Sequence, residues 1–231
     1  MEENGKECNC IIGISGGKDS SVVAGLCVEA FGKDRVIGVL MPNGIQDDIQ
    51  YSKDLINHLG IKSYTINLMS TYQTLLQKIN KECGFEASDD TKINLPPRLR
   101  MSTLFAVAQS MNGRVIGTAN LSENYIGYCT YGGDSLSSCE PIGNITATEV
   151  KAIGRELGLQ EHLIEKTPTD GLCHGLSDEE KLGFTYEVLD KYLREGKIKD
   201  MWTQAKIERM HYESRFKFSP IPMYTPDFML D

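Results

Sequence analysis

Positive charge is in deficit in this sequence. Its 231 residues include 24 Lys and Arg against 32 Asp and Glu, which gives a formal net charge of -8. Proteins that bind nucleic acids or anionic membranes need a basic face, so the composition argues against both as general partners. The balance still allows a local basic pocket that binds a phosphorylated metabolite.

Long apolar runs and paired cysteine motifs are missing as well. No stretch approaches the roughly 18 uninterrupted apolar residues of a membrane span, and the opening residues 1–4 do not resemble a signal peptide. We therefore expect a cytoplasmic protein whose seven cysteines are free thiols. There is no CxxC pair, and neither Cys8-x-Cys10 nor Cys173-His174 offers four ligands at a spacing that zinc uses.

Internal repeats and long linkers are also absent, which predicts a single domain over residues 1–231. Strand and helix signals alternate over about residues 10–170, and about 171–222 are more helical. Because helical patterns lie between short apolar runs, we expect an α/β fold with a doubly wound, mainly parallel sheet flanked by helices. The runs that predict strands are Cys10–Ile14, Val36–Met41, Ser63–Leu68 and Arg114–Thr118.

Several residues mark where helices begin or end. Glycine ends helices in the left-handed conformation, and a hydroxyl followed three residues later by Glu forms a capping box that satisfies free backbone N–H groups. Gly60 is placed to end one helix, and capping boxes at Thr146-x-x-Glu149 and Ser177-x-x-Glu180 begin two others. A further helix through Met101 and Ala108 is predicted after the polar stretch 88–92, and a last helix from Met201 to about Tyr212.

The segment 15–21, SGGKDSS, directly follows the first predicted strand and opens the first helix. Glycines let backbone N–H groups approach an anion, and the helix N-terminus adds its dipole. A carboxylate beside phosphates requires a cation between them, so Asp19 is a candidate ligand of Mg²⁺. Both the Walker pattern GxxxxGK[ST] and the dinucleotide pattern GxGxxG are absent. A glycine-rich turn with an Asp cap is the plain alternative, but three hydroxyls, two glycines and one acid together favour nucleotide binding.

The SGGxDS pattern resembles the signature of the ATP pyrophosphatases, the PP-loop family. Further segments, in the same order along the chain, are similar to those of ammonia-dependent NAD synthetases over about residues 10–222. These segments are 94–101 (NLPPRLRM), 117–123 (GTANLSE), Gly127-Tyr128, Gly133-Asp134, 148–150 (TEV), 166–172 (KTPTDGL) and 177–186 (SDEEKLGFTY).

This resemblance implies ATP-dependent amidation of deamido-NAD to NAD with ammonia. The carboxylate would attack the α-phosphorus of ATP and release pyrophosphate, and ammonia would then displace AMP from the adenylate. It also implies a homodimer with Mg²⁺ and ATP at the site. Because the chain has no room for a glutaminase domain beside this one, we expect free ammonia or a separate ammonia donor protein.

The resemblance also implies roles for individual residues. Ser15, Lys18 and Asp19 would be catalytic, and Asp19 and Glu123 would bind Mg²⁺. Arg98, Asp134 and Lys217 would bind deamido-NAD. The positions that would bind ATP are Gly13, Ser15, Gly16, Gly17, Lys18, Asp19, Ser20, Thr118 and Thr169.

Plainer roles exist for several of these residues. Arg98 and Arg100 could pair with the acids at 89–90 on a solvated helix, Glu123 could be a first-turn acid, Asp134 a turn former and Thr169 a helix cap. The chain also departs from the family pattern at four positions: Tyr131 and Ala147 replace lysines, Ser138 an acid and Phe216 a histidine.

These departures keep two other functions open. One is a PP-loop amide synthetase that acts on a different carboxylic acid. The other is a non-catalytic nucleotide-binding paralogue, whose sign would be loss of Asp19 or Glu123; both acids are present. A tRNA thiolase is disfavoured by the acidic charge and by the lack of CxxC pairs.

Overall fold

The computed structural model describes residues 7–166 and 177–226. Four parallel strands form its sheet in the order β3-β2-β1-β4, which confirms the expected parallel arrangement. Edge strand β3 is shorter than the predicted run, and all four of its residues are exposed. The strands are β1 Asn9–Gly13, β2 Val36–Leu40, β3 Lys62–Thr65 and β4 Gly113–Ile116.

Helices fill the connections between the strands and most of the C-terminal part. Their bounds are α1 Lys18–Phe31, α2 Ile49–Leu59, α3 Met69–Cys83, α4 Asp89–Ser110, α5 Leu121–Ile126, α6 Ala147–Glu156, α7 Glu161–Ile164, α8 Asp178–Leu182, α9 Tyr186–Glu195 and α10 Met201–Ser214. Gly60 ends α2 in the left-handed conformation, and both predicted capping boxes are formed, at Thr146 and Ser177.

Two helices differ from the sequence prediction. Helix α3 was not predicted, although its apolar residues recur at helical spacing. This stripe is half-buried and consists of Met69, Tyr72, Leu76 and Ile79. Helix α4 begins inside the polar stretch 88–92 rather than after it. The reason is local: the Ser88 hydroxyl accepts the N–H of Thr91 at 3.2 Å, and the acids in the first turn suit the helix dipole.

The sheet is covered on both faces, because successive strand residues point in opposite directions. On β1, Cys10 and Ile12 pack with α1, α2, α6 and α7, whereas Ile11 packs on the opposite face against α4. A third apolar cluster, centred on Leu189 and Ile207, joins α5 and α6 to α8, α9 and α10. The predicted doubly wound sheet is confirmed.

The strand order locates a crevice. From β1 the chain moves outward to β2 and β3, and then returns to place β4 on the other side of β1. The loops after β1 and β4 therefore diverge at the carboxyl ends of adjacent strands, where open α/β sheets bind ligands. No helix within the described ranges is long and apolar enough to cross a membrane.

Candidate functional site in the crevice between β1 and β4

The glycines after β1 bring the backbone close to α2. Gly16 has a φ of +79°, and a Cβ at this position would lie 3.0 Å from the Ser52 hydroxyl oxygen. Ser52 in turn donates its hydroxyl to the carbonyl of Ile14 at 3.2 Å. This turn therefore requires glycine, both for its backbone conformation and for the space that it leaves.

The N-terminus of α1 is open to an anion. Its N-cap is Gly17, which has no side chain to occupy the first free N–H groups. The hydroxyls of Ser15 and Ser20 lie 3.1 Å apart beside this turn. Ser15 accepts the N–H of Gly17 at 3.2 Å, and Ser20 donates to the Gly17 carbonyl at 3.1 Å. Backbone and hydroxyl donors thus converge on one end of a helix whose dipole favours negative charge.

Behind this turn lies a buried ion pair. The Lys18 ammonium nitrogen is 2.6 Å from an oxygen of Asp19, and only 4% of Lys18 is exposed. Burial alone lowers the pKa of Lys18, but the carboxylates of Asp19 and Glu123 outweigh it and raise the pKa. The amide of Asn120 donates to the second oxygen of Asp19 at 3.0 Å and links the loop after β4 to the loop after β1.

Glu123 lies in the first turn of α5, where it closes a capping box. It accepts the N–H of Asn120 at 3.3 Å, and its own N–H binds the Asn120 side chain at 3.0 Å. Loss of hydration and the nearby Asp19 carboxylate raise the pKa of Glu123 to about 8. Glu123 therefore both caps α5 and belongs to the acidic cluster.

Three further residues belong to this cluster and were given no role by the sequence analysis. Asp178 is 6% exposed and accepts the hydroxyl of Tyr128 at 3.1 Å. Tyr186 is 5% exposed, its ring faces the Lys18 ammonium at 5.6 Å, and its buried hydroxyl has no hydrogen-bond partner among the described residues. Burial and the surrounding carboxylates raise the pKa of Tyr186. The segment 177–186 pointed to this region, but no sequence pattern reveals which of its polar groups are buried.

A second group of predicted residues gathers beyond the C-terminal end of α5. Lys217 donates to the carbonyls of Gly127 and Cys129, both at 2.7 Å. Asp134 accepts the N–H of Thr130 at 2.8 Å, so it forms a turn, as its plainer role requires. The pairing of Arg98 with the acids at 89–90 is not formed; its Nε donates to the carbonyl of Tyr131 at 3.2 Å.

The structure describes two of the three remaining residues that were predicted to bind ATP. Gly13 ends β1, and Thr118 is half-buried in the loop after β4. Thr169 and Cys173 lie outside the described residues, whereas the six described cysteines are free thiols, as expected. The described ranges contain no group of three or more His, Cys, Asp or Glu side chains that could alone hold a metal ion. A cation here would need phosphate or water oxygens as well.

Comparisons with known proteins agree on one family. A family model described as NAD synthase matches residues 1–219. An NH(3)-dependent NAD(+) synthetase of Carboxydothermus hydrogenoformans is 40% identical over 200 residues, which are 85% of this chain and 82% of that protein.

Two solved structures extend the comparison. An NMN synthetase of Francisella tularensis has a TM-score of 0.85 at 34% identity and covers 95% of this chain and 90% of its own. An NH3-dependent NAD synthetase of Campylobacter jejuni has a TM-score of 0.77 at 26% identity, over 96% of this chain and 92% of its own.

Proposed function

The chain belongs to the NAD synthase family and is a ligase that forms a C–N amide bond, and we propose that it converts deamido-NAD to NAD with ATP and ammonia. The observation that carries this proposal is the crevice between β1 and β4. There, an uncapped helix N-terminus, the hydroxyls of Ser15 and Ser20 and the Lys18–Asp19 pair meet Glu123 from the first turn of α5.

The phosphates of ATP would bind at the N-terminus of α1. Free N–H groups and the hydroxyls of Ser15 and Ser20 are donors, and the Lys18 ammonium lies behind them. Positively charged and N–H donors aimed at one point stabilise the charge that develops on the leaving pyrophosphate. Thr118 follows β4 at the same edge of the sheet and would border the nucleotide.

Asp19 and Glu123 would hold Mg²⁺. Both are carboxylates, they raise the pKa of the same lysine, and they come from the two loops that flank the crevice. When bound, the ion offsets negative charge between phosphate and carboxylate oxygens. Loss of either acid would mark a paralogue without turnover; both are present, which favours an enzyme.

The first chemical step needs no general base, because a carboxylic acid is ionised near neutral pH. A carboxylate oxygen forms a bond to the α-phosphorus of ATP, and the bond to pyrophosphate breaks. Ammonia then attacks the acyl carbon, the bond to AMP breaks, and the added nitrogen loses a proton. The chain's contribution is to position the reactants and to stabilise charge. Arg98, Asp134 and Lys217 would orient the acid substrate beyond α5.

An end-point assay tests this proposal. The protein is incubated with MgATP, ammonium and deamido-NAD, and NAD and AMP are quantified. Formation of NAD and AMP in equal amounts supports the proposal, and omission of ammonium should abolish NAD. ATP binding without NAD or AMP would instead support a non-catalytic nucleotide-binding protein.

A second substrate is favoured by one specific comparison. The structure with a TM-score of 0.85 belongs to an NMN synthetase, and an amide ligase that makes NMN must start from nicotinate mononucleotide. The same assay with nicotinate mononucleotide in place of deamido-NAD separates the two candidates. The acid with the higher kcat/KM is the preferred substrate, and the chemistry at ATP is the same for both.

A further inference from the structure

The Lys18 ammonium is enclosed in the way that a bound cation would be. Its nitrogen lies 2.6 Å from Oδ2 of Asp19 and 5.6 Å from the centroid of the Tyr186 ring, and only 3% of the side chain is exposed. Both contacts favour positive charge at this point. The carboxylates of Glu123 and Asp178 are near enough to raise the pKa of Lys18 further.

This ammonium holds the same acid that is expected to bind Mg²⁺. Both oxygens of Asp19 are engaged, since Oδ2 accepts the ammonium and Oδ1 accepts the Asn120 amide at 3.0 Å. Mg²⁺–oxygen distances are about 2.0–2.1 Å, so an ion on Oδ2 would lie less than about 5 Å from the ammonium nitrogen. Two cations this close repel each other strongly where water is excluded. Lys18 and a divalent ion therefore compete for Asp19.

The ammonium also has N–H groups left for a second partner. An ammonium carries three N–H bonds, and within the described ranges Asp19 is the only hydrogen-bond acceptor for Lys18. Lys18 is the first residue of α1, so it lies at the helix end where the hydroxyls of Ser15 and Ser20 converge. A phosphate bound at this end can accept the ammonium in place of Asp19.

We propose that the Lys18 ammonium fills the cation position at Asp19 while no nucleotide is bound, and that it turns to the ATP phosphates when a divalent ion takes this position. Asp19 and Glu123 are too few ligands to hold the ion alone, since no third His, Cys, Asp or Glu of the described ranges completes a metal-binding group with them. The metal therefore enters only together with ATP. The proposal rests on the proposed function and adds the order in which its metal and nucleotide bind.

Mn²⁺ binding to the nucleotide-free protein tests this exchange. Mn²⁺ accepts the same oxygen ligands as Mg²⁺, and its electron paramagnetic resonance signal is lost when the free ion binds. The wild type should bind Mn²⁺ weakly. Lys18→Gln removes the charge and keeps a donor for Asp19, so its Kd for Mn²⁺ should be at least about tenfold lower, because the repulsion is gone. Lys18→Met should show the same gain and serves as the second variant if the first does not fold.

The matched control is Lys166→Gln. Lys166 also forms an ion pair with a carboxylate, that of Asp48, and lies 4.9 Å from the ring centroid of Tyr51. The change removes the same charge but leaves Asp19 untouched, so the Kd for Mn²⁺ should equal that of the wild type. Adding Asp19→Asn to Lys18→Gln should abolish the gained binding.

Three results would overturn the exchange: equal Mn²⁺ affinity in the wild type and both Lys18 variants, an equal gain in Lys166→Gln, or a gain that survives Asp19→Asn. The non-cleavable analogue α,β-methylene-ATP tests the second half. With it, the wild type should bind Mn²⁺ at least about tenfold more tightly, because phosphate oxygens complete the metal site. A protein that does not bind the analogue would reject the proposed function, whereas the measurements without nucleotide still decide whether Lys18 occupies the cation position.

Discussion

At the scale of single residues, the crevice between β1 and β4 contains a cluster of buried charged side chains. Lys18 is almost fully buried, and an isolated buried ammonium would be strongly destabilising. Asp19, 2.6 Å away, supplies the negative charge that stabilises it, whereas burial and the same Asp19 carboxylate raise the pKa of Glu123 to about 8. Removing one partner of such a group leaves the others uncompensated. The cluster is therefore best probed by exchanges that keep its hydrogen bonds.

Glu123→Gln removes the charge and retains the cap, since glutamine also serves at this capping-box position. We expect the Mg²⁺ concentration for half-maximal AMP formation to rise at least about tenfold, because one carboxylate ligand is lost. Melting of the folded protein, followed by circular dichroism, should stay within about 2 °C of wild type.

The matched control is Glu149→Gln, which makes the same exchange in the capping box of α6. Its Mg²⁺ dependence should equal that of the wild type. An unchanged Mg²⁺ dependence in Glu123→Gln would remove this residue from the metal site.

At the scale of elements, polar contacts lock the C-terminal helices to the crevice. Asp190 of α9 is 5% exposed and accepts the hydroxyl of Ser122 at 2.5 Å and the N–H of Thr148 at 2.8 Å. It thus joins the first turns of α5 and α6 to α9. Because Ser122 precedes Glu123, the C-terminal helices help to set the position of this acid.

A second link between these elements depends on pH. Arg194 of α9 binds both carboxylate oxygens of Glu149 in α6 and lowers the pKa of Glu149 to about 2. Its stabilising effect is present above the ordinary pKa of about 4.5 and is lost as pH falls towards about 2. Because both side chains are nearly half exposed, we expect the pair to make only a small contribution to the free energy of unfolding.

Thermal unfolding at two pH values measures this link. Glu149→Gln should melt below the wild type at pH 7, and the difference should shrink at pH 3. Glu195→Gln, an exposed change in the same α9, should behave as the wild type at both. A difference that is equal at pH 7 and pH 3 would contradict an ionic contribution.

The end of α5 meets α10 so closely that only glycine fits. Gly127 has a φ of +66°, and a Cβ there would lie 2.1 Å from the Cβ of Ser214. Gly127→Ala should lower the free energy of unfolding by roughly 2–4 kcal/mol, through the steric clash and the strained backbone. Urea denaturation measures the loss.

Gly158→Ala separates these two causes, since Gly158 has a similar φ of +69° but no atom of a described residue within 4 Å of the added Cβ. The free energy of unfolding of Gly158→Ala should fall only by the cost of the strained backbone, about 1–2 kcal/mol. Equal losses in the two variants would show that the contact between α5 and α10 is not the main cause.

At the scale of the whole molecule, the C-terminal helices leave large apolar side chains uncovered. Met201 is 81% exposed and Trp202 is 87% exposed at the start of α10, and Tyr212 near its end is 67% exposed. Surfaces of this kind are usual where subunits meet. We propose that these side chains lie in the subunit interface of the homodimer expected from the sequence.

Sedimentation equilibrium tests this expectation. The protein should sediment at twice the mass of one chain at micromolar concentration, and Trp202→Glu should favour the monomer if α10 lies in the interface. A wild-type protein that is monomeric at the concentration at which it makes NAD would contradict a functional dimer.

The sequence alone determined the local features. Apolar runs between helical patterns predicted the parallel sheet, and Gly60, Thr146 and Ser177 marked helix ends correctly, because these signals act over a few residues. The segment 15–21 indicated a phosphate-binding turn for the same reason. Helix α3 was not predicted, although apolar residues recur in it at helical spacing, and the true start of α4 was missed because it lies in a polar stretch.

Only the tertiary structure decided which distant residues act together. Asn120 reaches Asp19 because β4 lies next to β1 in the sheet, although more than 100 residues separate the two side chains in sequence. The burial of Asp178 and Tyr186 beside Lys18, and the pairing of Tyr131 with Phe216, depend on how the C-terminal helices dock. Side-chain burial and long-range contacts are properties of the packed chain, so a local sequence pattern does not specify them.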